Sequence, residues 1–173
     1  MALNILVAYG SKHGSTAEIA EKIGLLLRES GYLVDVLPAN KVKKLEPYQA
    51  VVLGSGVYIG FWLKAAANFL KAREAELKNR PTWIFSSGPT GDEDVVTLLQ
   101  GWSFPKGLQS VVERIQPRGM ITFHGNLDPQ KMNFIERWMI GKVNAPLGDF
   151  RNWQAITTWA QDIAASLRES DVS

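Results

Sequence analysis

Apolar positions fall along this chain in two alternating rhythms. Asn4-Ile-Leu-Val-Ala-Tyr9 is a short, nearly continuous apolar run that stops at Gly10-Ser11. A run of that length with both faces apolar predicts a central parallel strand. From Ser15-Thr16, which offers a helix cap, the period becomes helical. Ile19, Ile23, Leu26 and Leu27 share one face, Glu18, Glu21, Lys22 and Arg28 lie elsewhere, and Gly31 stands where a helix stop belongs. The alternation then repeats. Strands are predicted at Tyr32 to Leu37, Ala50 to Leu53, Thr82 to Phe85 and Met120 to Phe123. Helices are predicted at Leu63 to Leu77, Lys106 to Ile115, Lys131 to Val143 and Trp153 to Leu167. Such alternation implies parallel strands, right-handed crossovers and helices on both faces of the sheet. The expected fold is α/β: a doubly wound five-stranded parallel sheet of order 2-1-3-4-5. It is expected to form one domain over residues 1–173, fraying from Arg168 to Ser173.

Composition narrows the chemistry. The 173 residues are 46% hydrophobic and 21% charged, a globular balance. There is no cysteine, which removes disulfides, iron–sulfur clusters, thiolate zinc sites and cysteine nucleophiles. His13 and His124 are too few and too far apart to suggest a histidine metal centre. A net charge of +2 is too small to argue for nucleic acid. Met1 to Tyr9 lacks the basic lead of a signal peptide. No apolar run reaches the ~18–20 residues of a membrane helix. A soluble, cytoplasmic product is expected.

In a doubly wound sheet, ligands sit beyond the carboxyl ends of the strands where strand order reverses. The first, third and fourth strands run there into loops rich in Gly and Ser. Gly10-Ser11-Lys12-His13-Gly14-Ser15-Thr16 leads straight into a helix. Its amides, hydroxyls and helix dipole suit a phosphate monoester, although an ordinary capped turn reads the same way. It lacks the lysine after the second glycine that a nucleoside-triphosphate loop needs, and it is not G-x-G-x-x-G. The strand ends carry no acidic cluster of the kind a phospho-receiver needs. The second loop is Gly54-Ser55-Gly56-Val57-Tyr58-Ile59-Gly60-Phe61-Trp62. Its glycines allow close approach to a flat ligand, with Tyr58 the favoured stacking partner; Trp62 fits ligand or core equally. The third loop, Ser86-Ser87-Gly88-Pro89-Thr90-Gly91-Asp92, fits the opposite wall or a plain surface turn.

Ser11-x-x-Gly14-x-Thr16 after an Ile-Leu-Val-Ala strand, together with Gly54-Ser55-Gly56-Val57-Tyr58 and Ser86-Ser87-Gly88, resembles the flavodoxin superfamily. Phe134-Ile-Glu-Arg-Trp-Met-Ile140 and Asp149 with Arg151-Asn-Trp153 extend the likeness. They point to flavodoxin-domain proteins similar to the bacterial quinone-dependent protoporphyrinogen oxidases. That resemblance implies a flavodoxin-like fold and FMN as cofactor. Ser11, Lys12, His13, Gly14, Ser15 and Thr16 would hold its phosphate. Ser55, Gly56, Val57, Tyr58, Ile59 and Gly60 would line one side of the ring, with backbone near Gly56 and Val57 beside its N5. Ser86, Ser87, Gly88, Pro89, Thr90 and Gly91 would line the other side. His13 departs from the threonine usual in flavodoxins and exchanges a hydroxyl for a ring N–H.

Electron-carrying flavodoxins are typically acidic, whereas this chain has a pI near 8.9. The charge favours a flavoenzyme, or a carrier with acidic partners. The expected activity is an FMN-dependent oxidoreductase with a small-molecule or quinone electron partner. The alternative is a carrier that exchanges electrons with a redox protein, and a module that has lost its flavin is a third reading. No catalytic triad or metal is expected. Trp102 and Phe104, in the stretch from Thr90 to Pro105, could flank a substrate or fold back on the core. The Lys131 to Val143 helix reads first as a cover for the sheet. Its Met132, Ile135, Met139 and Val143, widened by Phe134 and Trp138 and joined by Lys131, Arg137 and Lys142, also suit peripheral contact with an anionic membrane. His124 reads as structural.

Overall fold

Five parallel strands carry the molecule: β1 (Asn4–Gly10), β2 (Leu33–Pro38), β3 (Ala50–Tyr58), β5 (Thr82–Ser87) and β6 (Gly119–Phe123). The computed structural model describes residues 3–171. The strands lie in the order β2-β1-β3-β5-β6, the expected reversal after β1 and β3. Between them run α1 (Ser15–Glu29), α2 (Lys64–Ala72), α3 (Glu74–Lys78) and α5 (Lys106–Ile115), and α7 (Trp153–Asp171) closes the described chain. The strands alternate in which layer they feed. Ile5, Val7, Val52, Trp83 and Phe85 pack with Ile19, Ile23, Leu27, Ile156, Ile163 and Leu167 of α1 and α7. Leu6, Ala8, Val51, Leu53 and Ile84 pack with Phe69, Leu70, Leu77, Leu108, Val112 and Ile115 on the other face. Both faces of each central strand are thus buried, which is why β1 and β3 read as unbroken apolar runs.

Local chemistry sets the ends. Gly31 is left-handed at φ 97°, and Tyr32 N–H donates to the Leu27 carbonyl, so the chain turns sharply from α1 into β2. The start of α1 differs from the sequence reading. Ser15 and Thr16 are its first helical residues, and the cap position is Gly14 at φ 93°, with no side-chain capping bond.

Several elements depart from expectation. β3 runs on to Tyr58 and folds back into β4 (Phe61–Trp62), pairing Val57 with Trp62 and Tyr58 with Phe61. The second loop is therefore a hairpin, with Ile59 (φ 50°) and Gly60 (φ 77°) as the two central residues of its turn. The predicted Leu63 to Leu77 helix divides at Arg73, whose guanidinium donates to the Lys43 carbonyl at 2.7 Å and to Glu76 at 2.8 Å. Within Thr90 to Pro105 lies α4 (Val95–Leu99), capped by Asp94, whose carboxylate accepts from Thr97 N–H at 3.1 Å. The helix expected over Lys131 to Val143 is α6 (Phe134–Lys142). It stands between two short strands, β7 (Asn126–Leu127) and β8 (Gly148–Asp149), that pair antiparallel apart from the main sheet. None of its residues is buried, so it does not act as the expected cover for the sheet. Helix α7 continues past Leu167 through Arg168 to Asp171, with Arg118 donating to Ser170 Oγ at 2.7 Å; Val172 and Ser173 lie outside the described residues.

Candidate functional site

Strand register brings the three loops together. Gly10 pairs with Ser55, Ser55 with Ser86, and Gly56 with Ser87, so all three leave the sheet at one level. Close approaches tie them together. A Cβ added to Gly56 would lie 3.2 Å from Thr16 Oγ1 and 3.3 Å from the Tyr58 ring. One added to Gly88 would lie 3.0 Å from Val57 Cβ. The bare backbones at Gly56 and Gly88 let the hairpin nest between the first and third loops.

Some hydroxyls in these loops hold the scaffold. Ser55 is fully buried; its Oγ donates to the Gly56 carbonyl at 2.9 Å and accepts from Leu63 N–H at 3.1 Å, which fastens the hairpin to α2. Ser86 Oγ accepts from Trp62 Nε1 at 2.9 Å, so Trp62 is a core residue, edge-on to Phe104 with ring centroids 5.0 Å apart. Ser87, Thr90 and Gly91 are buried, and Pro89 accepts from Gly125 N–H at 2.9 Å, which seats the third loop on the end of β6. His124 is tied to the Glu93 carbonyl at 2.8 Å, in keeping with a structural role. Ile59 and Phe61 stand exposed at the hairpin tip. Trp102 donates to the Gly60 carbonyl at 3.3 Å, and with Phe104 it lines a cavity of about 680 Å³ beneath α4.

The first loop is different in kind. Ser11 Oγ accepts from Gly14 N–H at 3.1 Å and shapes the turn. Thr16 is buried. Ser15 Oγ is buried with no hydrogen-bond partner, which is costly unless something completes it. The first-turn amides of the 15-residue α1 have no side-chain cap. A phosphate would satisfy the orphaned hydroxyl and those amides together, so the residues fit such a group.

Sequence reasoning missed one participant. Glu136, the one acid of α6, lies against the loop and accepts from Lys12 Nζ, with His13 Nε2 3.2 Å away. Asn133 and Glu136 also cap α6 reciprocally, each side chain accepting from the other's backbone N–H. Asn133-x-x-Glu136 was the available signal for that helix start. The Lys12 bond first, then the Asn133 amide, outweigh desolvation and hold the Glu136 carboxyl down to about 2, with His13 adding to the effect. The Lys12 ammonium lies 5.8 Å from the Tyr58 ring centroid, and burial followed by the Glu136 charge pushes the Tyr58 phenol up. Arg151 pins the same segment from its other end. It donates to both carboxylate oxygens of Asp149, to Glu18 at 2.6 Å and to the Ser15 carbonyl at 3.1 Å.

A lowered carboxyl stabilises the folded contact above its ordinary value and loses that contribution as pH falls through the folded one. The Glu136 tie should therefore weaken between about 4.5 and about 2. Amide shifts of residues 134–142, followed by NMR through that range, should move together, and Glu136→Gln should remove the transition. An unchanged titration in the variant would assign the movement to another carboxyl.

Similarity to known proteins agrees with this geometry. A family model described as the flavodoxin domain matches residues 6–152. Protoporphyrinogen IX dehydrogenase [quinone] of Escherichia coli (strain K12) is 21% identical, over 94% of this chain and 95% of that protein. Among solved structures, a flavodoxin from the domain Archaea superposes with a TM-score of 0.62 at 17% identity, covering 96% of this chain and 99% of its own. A Fusobacterium nucleatum flavodoxin mutant bound to flavin mononucleotide gives 0.50 at 19%, covering 70% and 68%. With the match running through the parallel sheet and all three loops at its carboxyl end, the chain belongs to the flavodoxin domain family.

Proposed function

We propose that this chain binds FMN at the junction of the three loops and works as an oxidoreductase with a quinone-type acceptor. The observation that carries the reading is the Ser15 hydroxyl, buried without a partner at an uncapped helix N-terminus beside Thr16. Bound there, FMN would supply reversible hydride or electron transfer. The chain's own residues do the rest. Ser15, Thr16 and the first-turn amides of α1 hold the phosphate. Lys12 supplies positive charge, the His13 and Tyr58 rings stand beside it, and the Ser86 to Gly91 loop, seated by Gly125, bounds the crevice opposite the hairpin.

Two considerations favour an enzyme over a carrier. The E. coli relative is named for a dehydrogenase that uses a quinone. The sequence pI of about 8.9 also lacks the acidity that steers a carrier to basic partners. The cavity beneath α4, lined by Val95, Leu99, Trp102 and Ile121 and by no charged side chain, suits a neutral acceptor.

Anaerobic titration tests the reading. Purified protein reconstituted with FMN should bind close to one equivalent. After reduction it should be reoxidised by a soluble quinone at a rate that saturates with quinone. Failure to retain FMN would overturn the cofactor assignment. Retention with fast exchange only toward a redox protein would replace the enzyme by the carrier.

A further inference from the structure

Helix α6 has the composition of a buried helix and the surroundings of an exposed one. Phe134, Ile135, Trp138, Met139 and Ile140 make it apolar around most of its circumference, which ordinarily marks a core helix. Yet Phe134 is 84% exposed, Ile135 65% and Trp138 57%, and Val143, just beyond, is open as well. At 100° per residue, Phe134, Ile135, Trp138 and Lys142 share one side, and Glu136 and Ile140 the opposite one. Glu136 faces the first loop through Lys12 and His13. The helix is fastened by its acidic side and turns its apolar side outward.

Charge divides in the same way. The one acid of α6 is engaged with the loop, whereas Lys131, Arg137 and Lys142 form no ion pair among the described residues. Lys142 Nζ stands 4.5 Å from the centroid of the Trp138 ring, so this cation borders the aromatic part of the patch. An apolar strip accompanied by uncompensated positive charge is complementary to an anionic lipid surface. It is poorly matched to itself: a two-fold contact would set these bases against their own copies. A nine-residue helix, ~14 Å long and ~10 Å wide, also offers far less than the ~800 Å² each partner gives to a stable dimer.

From these observations we infer that α6 is a membrane-docking element. It lies along an anionic bilayer with Phe134, Ile135 and Trp138 at the boundary of headgroup and acyl chain, and Lys131, Arg137 and Lys142 against lipid phosphates. Because Glu136 holds α6 to the first loop, docking places the bilayer at the end of the sheet that carries the crevice. The inference is independent of the cofactor reading, since it concerns a surface outside the crevice.

Sedimentation of the full chain with phosphatidylglycerol/phosphatidylcholine vesicles tests it. Binding is expected to the mixed vesicles and to fall steeply with added salt, with little binding to phosphatidylcholine alone. Phe134→Glu with Trp138→Glu, both at exposed positions, should weaken binding tenfold or more with far-UV circular dichroism unchanged. Arg137→Glu or Lys142→Glu should each weaken it at least fivefold, the equivalent of about 1 kcal/mol per base. The inference is overturned by absence of binding to the anionic vesicles at low salt, or by full binding of the Phe134/Trp138 variant. It is also overturned if the chain forms a dimer by light scattering that the same variant dissolves, which would assign the face to a second copy.

Discussion

Gly54→Ala will cost this protein about 3 kcal/mol of folding stability, near the top of the range for overpacking a core. Gly54 belongs to the Gly-Ser-Gly stretch, yet its own role is inside the fold. A Cβ at this position would stand 2.0–2.4 Å from three carbons of the Phe85 ring. That ring is fully buried and is held by Phe123 and Trp159, with centroids 5.9 and 6.1 Å away. It has no open side toward which to retreat. Against a typical total of 5–15 kcal/mol the loss is large, and in a domain of this size it should lower Tm by roughly 6–12 °C. Urea unfolding of the variant measures it. Phe85→Leu provides the internal check. Alone it leaves a cavity and destabilises, but combined with Gly54→Ala it should recover part of the loss, a coupling above about 1 kcal/mol. Additive losses would mean that the ring is not what Gly54 accommodates. Gly141→Ala, on the exposed face of α6 with nothing within 4 Å of the added methyl, should be neutral or slightly stabilising.

This glycine also shows how far sequence can be read. Buried parallel strands announce themselves because both faces must be apolar, and β1, β5 and the first part of β3 stood out for that reason. A glycine reveals only that a side chain is unwelcome. Gly54 makes room for Phe85 from the neighbouring strand, whereas Gly56, two residues on, makes room for Thr16 and Tyr58. The hairpin was hidden because its turn uses Ile59 at φ 50°, a conformation that β-branched residues seldom adopt, in place of the asparagine or aspartate that normally signals it. Phe61 and Trp62 looked like the end of a loop for the same reason. The two short strands that carry α6 pair across a gap from Asn126 to Asp149, and two-residue strands have no period to detect. Glu136 stands 123 residues from His13 in the chain. Its capping role was written locally, but its place beside the loop follows from tertiary packing alone. Of the candidate site, the first loop carried the plainest signal, because a strand that ends in Gly and Ser directly before a helix offers amides and hydroxyls to an anion, although an ordinary capped turn has the same sequence. The second and third loops were less plain: the hydroxyls of Ser55 and Ser86 look available in sequence and are bound internally in the fold.

Thr16→Ala should weaken FMN binding by about 1.5–3 kcal/mol, or roughly 10- to 150-fold, the ordinary loss when a hydrogen bond to a charged group is removed. Isothermal titration of FMN into flavin-free protein measures it, and riboflavin is the decisive companion. Riboflavin carries the same ring without the phosphate, so its affinity should be the same for both proteins if Thr16 acts on the phosphate alone. Thr16 is also packed against Gly56. A defect transmitted through that contact would disturb the ring wall and weaken both ligands in parallel. Thr16→Ser separates the two effects from the other side. It keeps the hydroxyl and loses only the methyl, so it should retain most of the FMN affinity if the hydroxyl is what binds. Ser15→Ala sharpens the point further. Its hydroxyl has no partner within the chain, so losing it removes no internal hydrogen bond. Any fall in FMN affinity that riboflavin does not share must then come from the phosphate. FMN affinities unchanged from the parent protein in both Ser15→Ala and Thr16→Ala would leave the phosphate to the uncapped amides of α1 and to Lys12, and would move the cofactor assignment away from these two side chains.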